Sequence, residues 1–265
     1  MHLYTAEERH RYFARAFRHG AVWLTLGTGG LCCAAPAWAA SRAEKCDDTK
    51  QSTKLWEQVY DRCIGTPHPD PGYCVLVKPS YVVVANPPQS NKPNRLVFVP
   101  TDPIPGIEAF AQRAPGLLES YLREAWNVRP QFLARSKSQQ PLANVGLAIN
   151  SALDRGMCHL HIHIDCVRAR VRNALMGQSV GSRWVELTRL PAFVAKRFDE
   201  SRFKEMSREV IQAGGPNETL ASQTLVFVPA PAHGVYVLRS HHGPGGSGAG
   251  EELLEARCDA SEARP

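Results

Sequence analysis

Short apolar runs bounded by proline or glycine recur along this 265-residue chain, and they set its first outline. "YCVLVKP" (73–79) and "YVVVANPP" (81–88) are β-branched runs stopped by proline. "RLVFVPTDPIPGIEA" (95–109) gives a further strand over Leu96–Val99 before a turn. Upstream, Ser52–Arg62 reads as a short helix that ends before a proline-rich loop. From Ile107 the apolar residues Phe110, Ala114, Leu117, Leu118, Tyr121, Leu122 and Ala125 recur at helical spacing, which predicts the main amphipathic helix over Ile107–Trp126. "VGLAINS" (145–151) is a buried strand closed by Asn150 and Ser151, and "CHLHIHIDC" (158–166) is a strand with histidine at every second position. The mixed stretch from Arg168 to Glu209 shows no clean period. "TLVFVPA" and "GVYVLRS" form a late hairpin turning around Ala230–Gly234, and "HHGPGGSGAGEE" (241–252) has the composition of a flexible loop. There is no sequence repeat. The pattern describes an α+β domain over residues 41–265, built on an antiparallel sheet with one main helix.

The first forty residues differ in kind. A basic segment with Arg9, Arg11, Arg15 and Arg18 precedes an uncharged stretch from Ala21 to Ala40. That stretch reads either as a cleaved signal, with a small-x-small site at Ala37–Ala39, or as a membrane anchor. The flanking arginines predict that everything after Ala40 faces away from the cytoplasm. Four arginines against two glutamates carry +2 of the formal net charge of +6. The remaining +4 includes no basic cluster of the kind that nucleic-acid binding requires. Six cysteines lie beyond the leader, at 46, 63, 74, 158, 166 and 258. In an exported chain they are expected to pair, and although spacing does not choose among the connectivities, Cys63–Cys74 closes the shortest loop.

The histidine row is the strongest chemical signal. Alternate residues of a strand share a face, so His159, His161 and His163 project together while Leu160, Ile162 and Ile164 enter the core. A solvated face would draw on Lys, Glu, Thr and Ser instead. In a metal site at most two of the three could meet one ion, because the outer pair lie about 13 Å apart along an extended strand. The third reading is phosphoryl chemistry, with one imidazole as nucleophile and its neighbours positioning and polarising the phosphate.

His-φ-His-φ-His after a buried strand ending in Asn resembles the histidine-triad superfamily. "LAINS", "HLHIHIDCVR", "SRW" at Ser182–Trp184, "YVVV" and the N-terminal apolar segment together resemble the bacterial CDP-diacylglycerol pyrophosphatases, from about Leu55 to Cys258. The resemblance implies a histidine-triad-like fold and hydrolysis of CDP-diacylglycerol to CMP and phosphatidate, with no metal cofactor. It makes His161 the nucleophile of a nucleotidyl-histidine intermediate and gives His159 and His163 contacts to phosphate oxygens. It brings Asn150 to ribose or phosphate, and its partners would be the lipid substrate and a membrane surface. The chain departs from the superfamily at "GMC" before the first histidine, where small polar residues are usual; Arg155, Ser182 and Arg183 are the candidates to supply the missing donors. Arg168, Arg170 and Arg172 form a basic run that fits a solvated face, or anionic headgroups. A Cys166–Cys258 bridge would tie the C-terminal tail beside the triad. The competing functions are a nucleotidyl-transferase using the same intermediate and an exported metal- or nucleotide-binding module.

Overall fold

The computed structural model describes residues 52–87, 89–111, 115–212, 219–240, 249–255 and 258. The expected leader, residues 1–40, lies outside them. Among the described residues no helix is long and apolar enough to cross a membrane.

Among the described residues one ten-stranded antiparallel sheet organises the domain. Its strands are β1 (Cys74–Val77), β2 (Tyr81–Ala85), β3 (Leu96–Pro100), β4 (Val145–Ile149), β5 (Ile162–Val167), β6 (Val185–Leu187), β7 (Leu190–Asp199), β8 (Leu225–Ala230), β9 (Gly234–Ser240) and β10 (Leu254–Glu255). They run in the order β1-β2-β3-β5-β4-β8-β9-β7-β6, and β10 adds to β5. Among the described residues four α-helices accompany them: α1 (Lys54–Val59, extended by a π turn to Ile64), α2 (Pro115–Ser136), α3 (Ala169–Met176) and α4 (Phe203–Gln212).

The strand order shows a repeat that the sequence does not. Hairpin β2–β3, helix α2 and the pair β4–β5, with β5 returning to β3, form one unit. Hairpin β6–β7, helix α4 and the pair β8–β9, with β9 returning to β7, form a second unit of the same plan. The two join through β4–β8. A sheet needs only apolar side chains of suitable size on its inner faces, so two units can share a topology without sharing a recognisable sequence. In the first unit β5 carries His163, with His159 and His161 just before it; β9 of the second has no histidine.

Both faces of the sheet are covered. On one, Leu160, Ile162 and Ile164 join Phe98, Leu118, Leu122 and Phe227 under α2 and α4. On the other, Ala148, Val167 and Val226 pack with Val171 and Leu175 of α3 and Leu253 near the C-terminus. This is the alternation expected of the histidine strand, and within β5 it sets His163 on the same side as Val167, away from Ile162 and Ile164.

Two expectations shift for reasons of backbone chemistry. The main helix begins at Pro115 rather than running unbroken from Ile107, because proline cannot continue a helix from the preceding turn but suits its first position; Ile107–Ala111 form a separate 3-10 turn. It also runs on past Trp126 to Ser136 through Pro130. Pro130 has no N–H for the Trp126 carbonyl, and the Arg129 Nε donates to that carbonyl instead, at 2.9 Å. Arg129 is buried, lies over the Trp126 ring and also donates to the Val145 carbonyl, so it fastens the helix to β4. Burial brings its pKa down to about 10, against the pull of Glu200.

Cys63 bonds to Cys74, Cys166 bonds to Cys258, and Cys158 is also disulfide-bonded. The second bridge spans 92 residues and ties the C-terminal end to the histidine strand. A cross-link of that span removes much loop entropy from the unfolded chain, so Cys258→Ser is expected to lower unfolding free energy by about 2–5 kcal/mol. Chemical denaturation of the variant checks this; an unchanged midpoint would contradict it.

Candidate active site

The three histidines are held in three different ways. β5 begins its ladder at Ile162, so His159 and His161 precede the strand instead of lying within it. The reason is local. The backbone N–H groups of Cys158 and Leu160 donate to the carbonyls of Ser52 and Ile104, away from the sheet. The Pro100 carbonyl at the end of β3 is taken by the ring of His159, whose Nε2 donates to it at 2.8 Å. That ring also stacks on Trp56 of α1, with centroids 4.7 Å apart.

His161 is turned differently. Its Nδ1 donates to the carbonyl of His159 at 2.7 Å, which fixes the tautomer and leaves Nε2 with its lone pair outward. Burial pushes its pKa below the ordinary 6.5; Arg155 adds to that push, while the His159 carbonyl and Glu251 oppose it. The ring is therefore neutral and nucleophilic at neutral pH.

His163 lies edge-on to His161, with ring centroids 4.9 Å apart. It is buried, and neither of its ring nitrogens has a hydrogen-bond partner among the described residues. An imidazole left in this state inside a protein is costly unless a ligand or a later step uses it. Burial, His161 and Arg95 hold its pKa well below 6.5, with Glu251 pulling the other way.

Glu251 is the residue that sequence reasoning missed. The segment 241–252 looks like a flexible loop, yet its end folds into a 3-10 turn, Gly250–Leu253, against the sheet. Gly250 permits this: a Cβ there would sit 2.6 Å from Thr224 Cγ2 and 3.1 Å from Val226 Cγ2. The Glu251 carboxylate then accepts from Lys92 at 2.8 Å and Arg95 at 2.6 Å, and stands 3.9 Å from His163 Nε2. Burial favours its neutral form, but His163 when protonated, and Lys92 and Arg95, outweigh this and lower its pKa below the ordinary carboxylate value. His163 adds to their pull only when it carries a proton, which its burial disfavours. Arg95 is itself buried and pairs with the fully buried Asp165 at 2.8 Å. Burial raises Asp165 to about 6 against the pull of Arg95, so it too is ionised at neutral pH.

The remaining candidates divide. Asn150 lies at the end of β4, and its Oδ1 accepts the Glu251 N–H at 3.3 Å, so it anchors the turn that carries Glu251. Arg155 is buried near His161 and bound by Glu108 through two hydrogen bonds of 2.7 and 2.6 Å. It passes directly over Gly106, where a Cβ would fall 1.7 Å from Nη1, so a side chain there would make the guanidinium shift. Ser182 and Arg183 are exposed on the segment entering β6, the last strand of the sheet, five strand pairings from β5. Arg168 and Arg170 donate to the carbonyls of Leu254 and Glu252, and Arg172 to that of Val167, so this basic run braces the C-terminal segment. Among the described residues, no group of three or more His, Cys, Asp or Glu side chains is arranged to hold a metal ion.

The arrangement can carry out nucleophilic chemistry on a phosphate. It offers a neutral imidazole with a fixed tautomer, a second unpartnered imidazole beside it, and a cluster of two cations and two carboxylates behind.

Folded-state pKa values of His161 and His163 below 6.5 mean that the unfolded chain binds their protons first, so the stability they contribute is complete above pH 6.5 and is lost as pH falls below it. Proton NMR of the imidazoles is expected to show both midpoints under 6.5; a midpoint at or above 6.5 for His161 would contradict the assignment.

The family model described as CDP-diacylglycerol pyrophosphatase matches residues 50–262. Among solved structures, a DUF4931 family protein from Bacillus cereus ATCC 10987 is similar with a TM-score of 0.49 and 14% identity, over 64% of this chain and 87% of that one.

Proposed function

This chain belongs to the CDP-diacylglycerol pyrophosphatase family, and from that premise we propose how its residues perform the reaction. It hydrolyses the phosphoric anhydride of CDP-diacylglycerol, giving CMP and phosphatidate, a step of phospholipid metabolism. The mechanism follows the pattern of the histidine-triad superfamily.

The His161 Nε2 lone pair attacks the phosphorus attached to cytidine. A P–N bond forms, the bond from that phosphorus to the bridging oxygen breaks, and phosphatidate departs with the electron pair. The nucleotidyl-imidazole carries positive charge, which the hydrogen bond from Nδ1 to the His159 carbonyl stabilises. Water then attacks the same phosphorus, the P–N pair returns to Nε2, and CMP leaves. The single observation that carries this reading is the 2.7 Å bond that leaves His161 Nε2 as a free nucleophile.

His163 stands edge-on beside His161 with both ring nitrogens unpartnered, next to the reacting phosphate. His159 acts mainly as a support, because its Nε2 is committed to Pro100 and its backbone carbonyl orients His161. Asn150 works through the Glu251 turn, and Arg155 supplies positive charge near His161. Ser182 and Arg183 would reach the diacylglycerol end of the substrate or the surface around it, not the reacting phosphorus.

The substrate stays in a bilayer, so the domain works at a membrane surface, with the arginine-flanked segment before Ala40 directing it to the periplasmic side of the inner membrane. The disulfides of the described domain fit an oxidising compartment.

His161→Ala is expected to remain folded and to release no CMP from detergent-dispersed CDP-diacylglycerol, a loss of at least about a thousandfold. His161→Gly is expected to regain part of the activity with added imidazole. Ordinary turnover by folded His161→Ala would overturn the covalent mechanism.

A further inference from the structure

The second half of the reaction needs a group to take the proton of the attacking water, and His161 cannot supply it while its Nε2 is bonded to phosphorus. His163 is the adjacent imidazole, with ring centroids 4.9 Å apart, and it is neutral, buried and unpartnered. A buried imidazole accepts a proton readily only if a carboxylate stands behind it to hold the charge that results, as in hydrolase triads. The Glu251 Oε2 stands 3.9 Å from His163 Nε2.

Several features show that this carboxylate is placed and held. The Glu251 N–H is bound by Asn150, and Gly250 lets the turn press on the sheet. β10 pairs with β5 immediately after, and Cys258 bonds to Cys166 on β5. The segment is thus fastened at both its hydrogen-bonding and covalent ends to the strand that carries His163. Lys92 and Arg95 keep Glu251 ionised, and Asp165 balances Arg95 from the other side.

We propose that Glu251 is a positioning residue that makes His163 the general base for the water that hydrolyses the nucleotidyl-enzyme. This rests on the nucleotidyl-histidine reading of His161. With the Nε2–H facing Glu251, the His163 Nδ1 accepts one proton from water while the water oxygen bonds to phosphorus and the P–N bond breaks. The imidazolium formed pairs with Glu251, closing the 3.9 Å gap, and returns its proton to solvent as CMP leaves. Charges facing His163 are those of Glu251 on the C-terminal turn, Lys92 and Arg95 before β3, and His161 on its own segment, with Asp165 acting through Arg95.

The test is Glu251→Gln, assayed for phosphatidate and CMP separately. Because kcat/KM reports only steps through phosphatidate release, it should remain within about twofold of wild type, while kcat falls at least roughly tenfold through loss of general-base assistance. A burst of phosphatidate stoichiometric with enzyme should precede slow CMP release. Equal losses in kcat and kcat/KM, or no change in either, would overturn the proposal. Lys92→Met gives an independent reading in a half-exposed position: removing a cation near His163 raises its proton affinity, so the acid limb of kcat should move to higher pH. An unmoved limb would also overturn it. If His161→Ala keeps turning over, the nucleotidyl-histidine reading itself has failed; if that variant is dead and Glu251→Gln behaves as wild type, only the role of Glu251 has.

Discussion

A hydrogen bond between residues two apart fixes the tautomer of His161. The His161 Nδ1 can reach the His159 carbonyl only where the chain is extended but that carbonyl is not used by a neighbouring strand. The sheet meets this condition by starting the β5 ladder at Ile162 and tying the preceding residues to Ser52 and Ile104. His159 fills the place left at the end of β3 with its own ring. Had the ladder continued through residue 159, the carbonyl would have been drawn toward a strand partner and the tautomer of His161 left to solvent.

Behind the histidines, Arg95 organises a second constraint. A guanidinium with almost no exposure would be prohibitive alone, and it is balanced by Asp165 at 2.8 Å and Glu251 at 2.6 Å. Breaking such a buried pair by removing one partner typically costs about 3–5 kcal/mol. These groups come from three distant parts of the chain, so the site is complete only when the C-terminal segment has docked. The Cys166–Cys258 bridge, the β10 pairing and the arginines of α3 all act on that docking.

Local chemistry made much of this readable in advance. Proline-bounded β-branched runs marked β1 to β3, the late hairpin fell where β8 and β9 lie, and alternation put Ile162 and Ile164 in the core. Both disulfides expected from position, Cys63–Cys74 and Cys166–Cys258, are present. The helical period from Ile107 was real, but it did not register that Pro115 starts a helix rather than continuing one. Residues 168–209 hid β6 and β7 because these strands are half-buried on mixed faces and leave weak periodicity, whereas α3 and the start of α4 do carry helical spacing, at Val171, Ala174 and Leu175 and at Phe203, Met206 and Val210, in runs too short to stand out. Glu251 was hidden for another reason: a glycine-rich composition reads as flexibility, whereas Gly250 is there for close contact with Thr224 and Val226. Its link to His163 is purely tertiary, and no spacing in the chain announces it.

If cytidylyl transfer to His161 precedes hydrolysis, the stereochemistry at phosphorus records it. CDP-diacylglycerol of one configuration, with sulfur at the cytidine-linked phosphorus, would be hydrolysed in oxygen-18 water and the configuration of the released thio-CMP determined. Two in-line displacements, first by His161 and then by water, predict overall retention. Inversion would mean that water attacks directly, and would contradict the account.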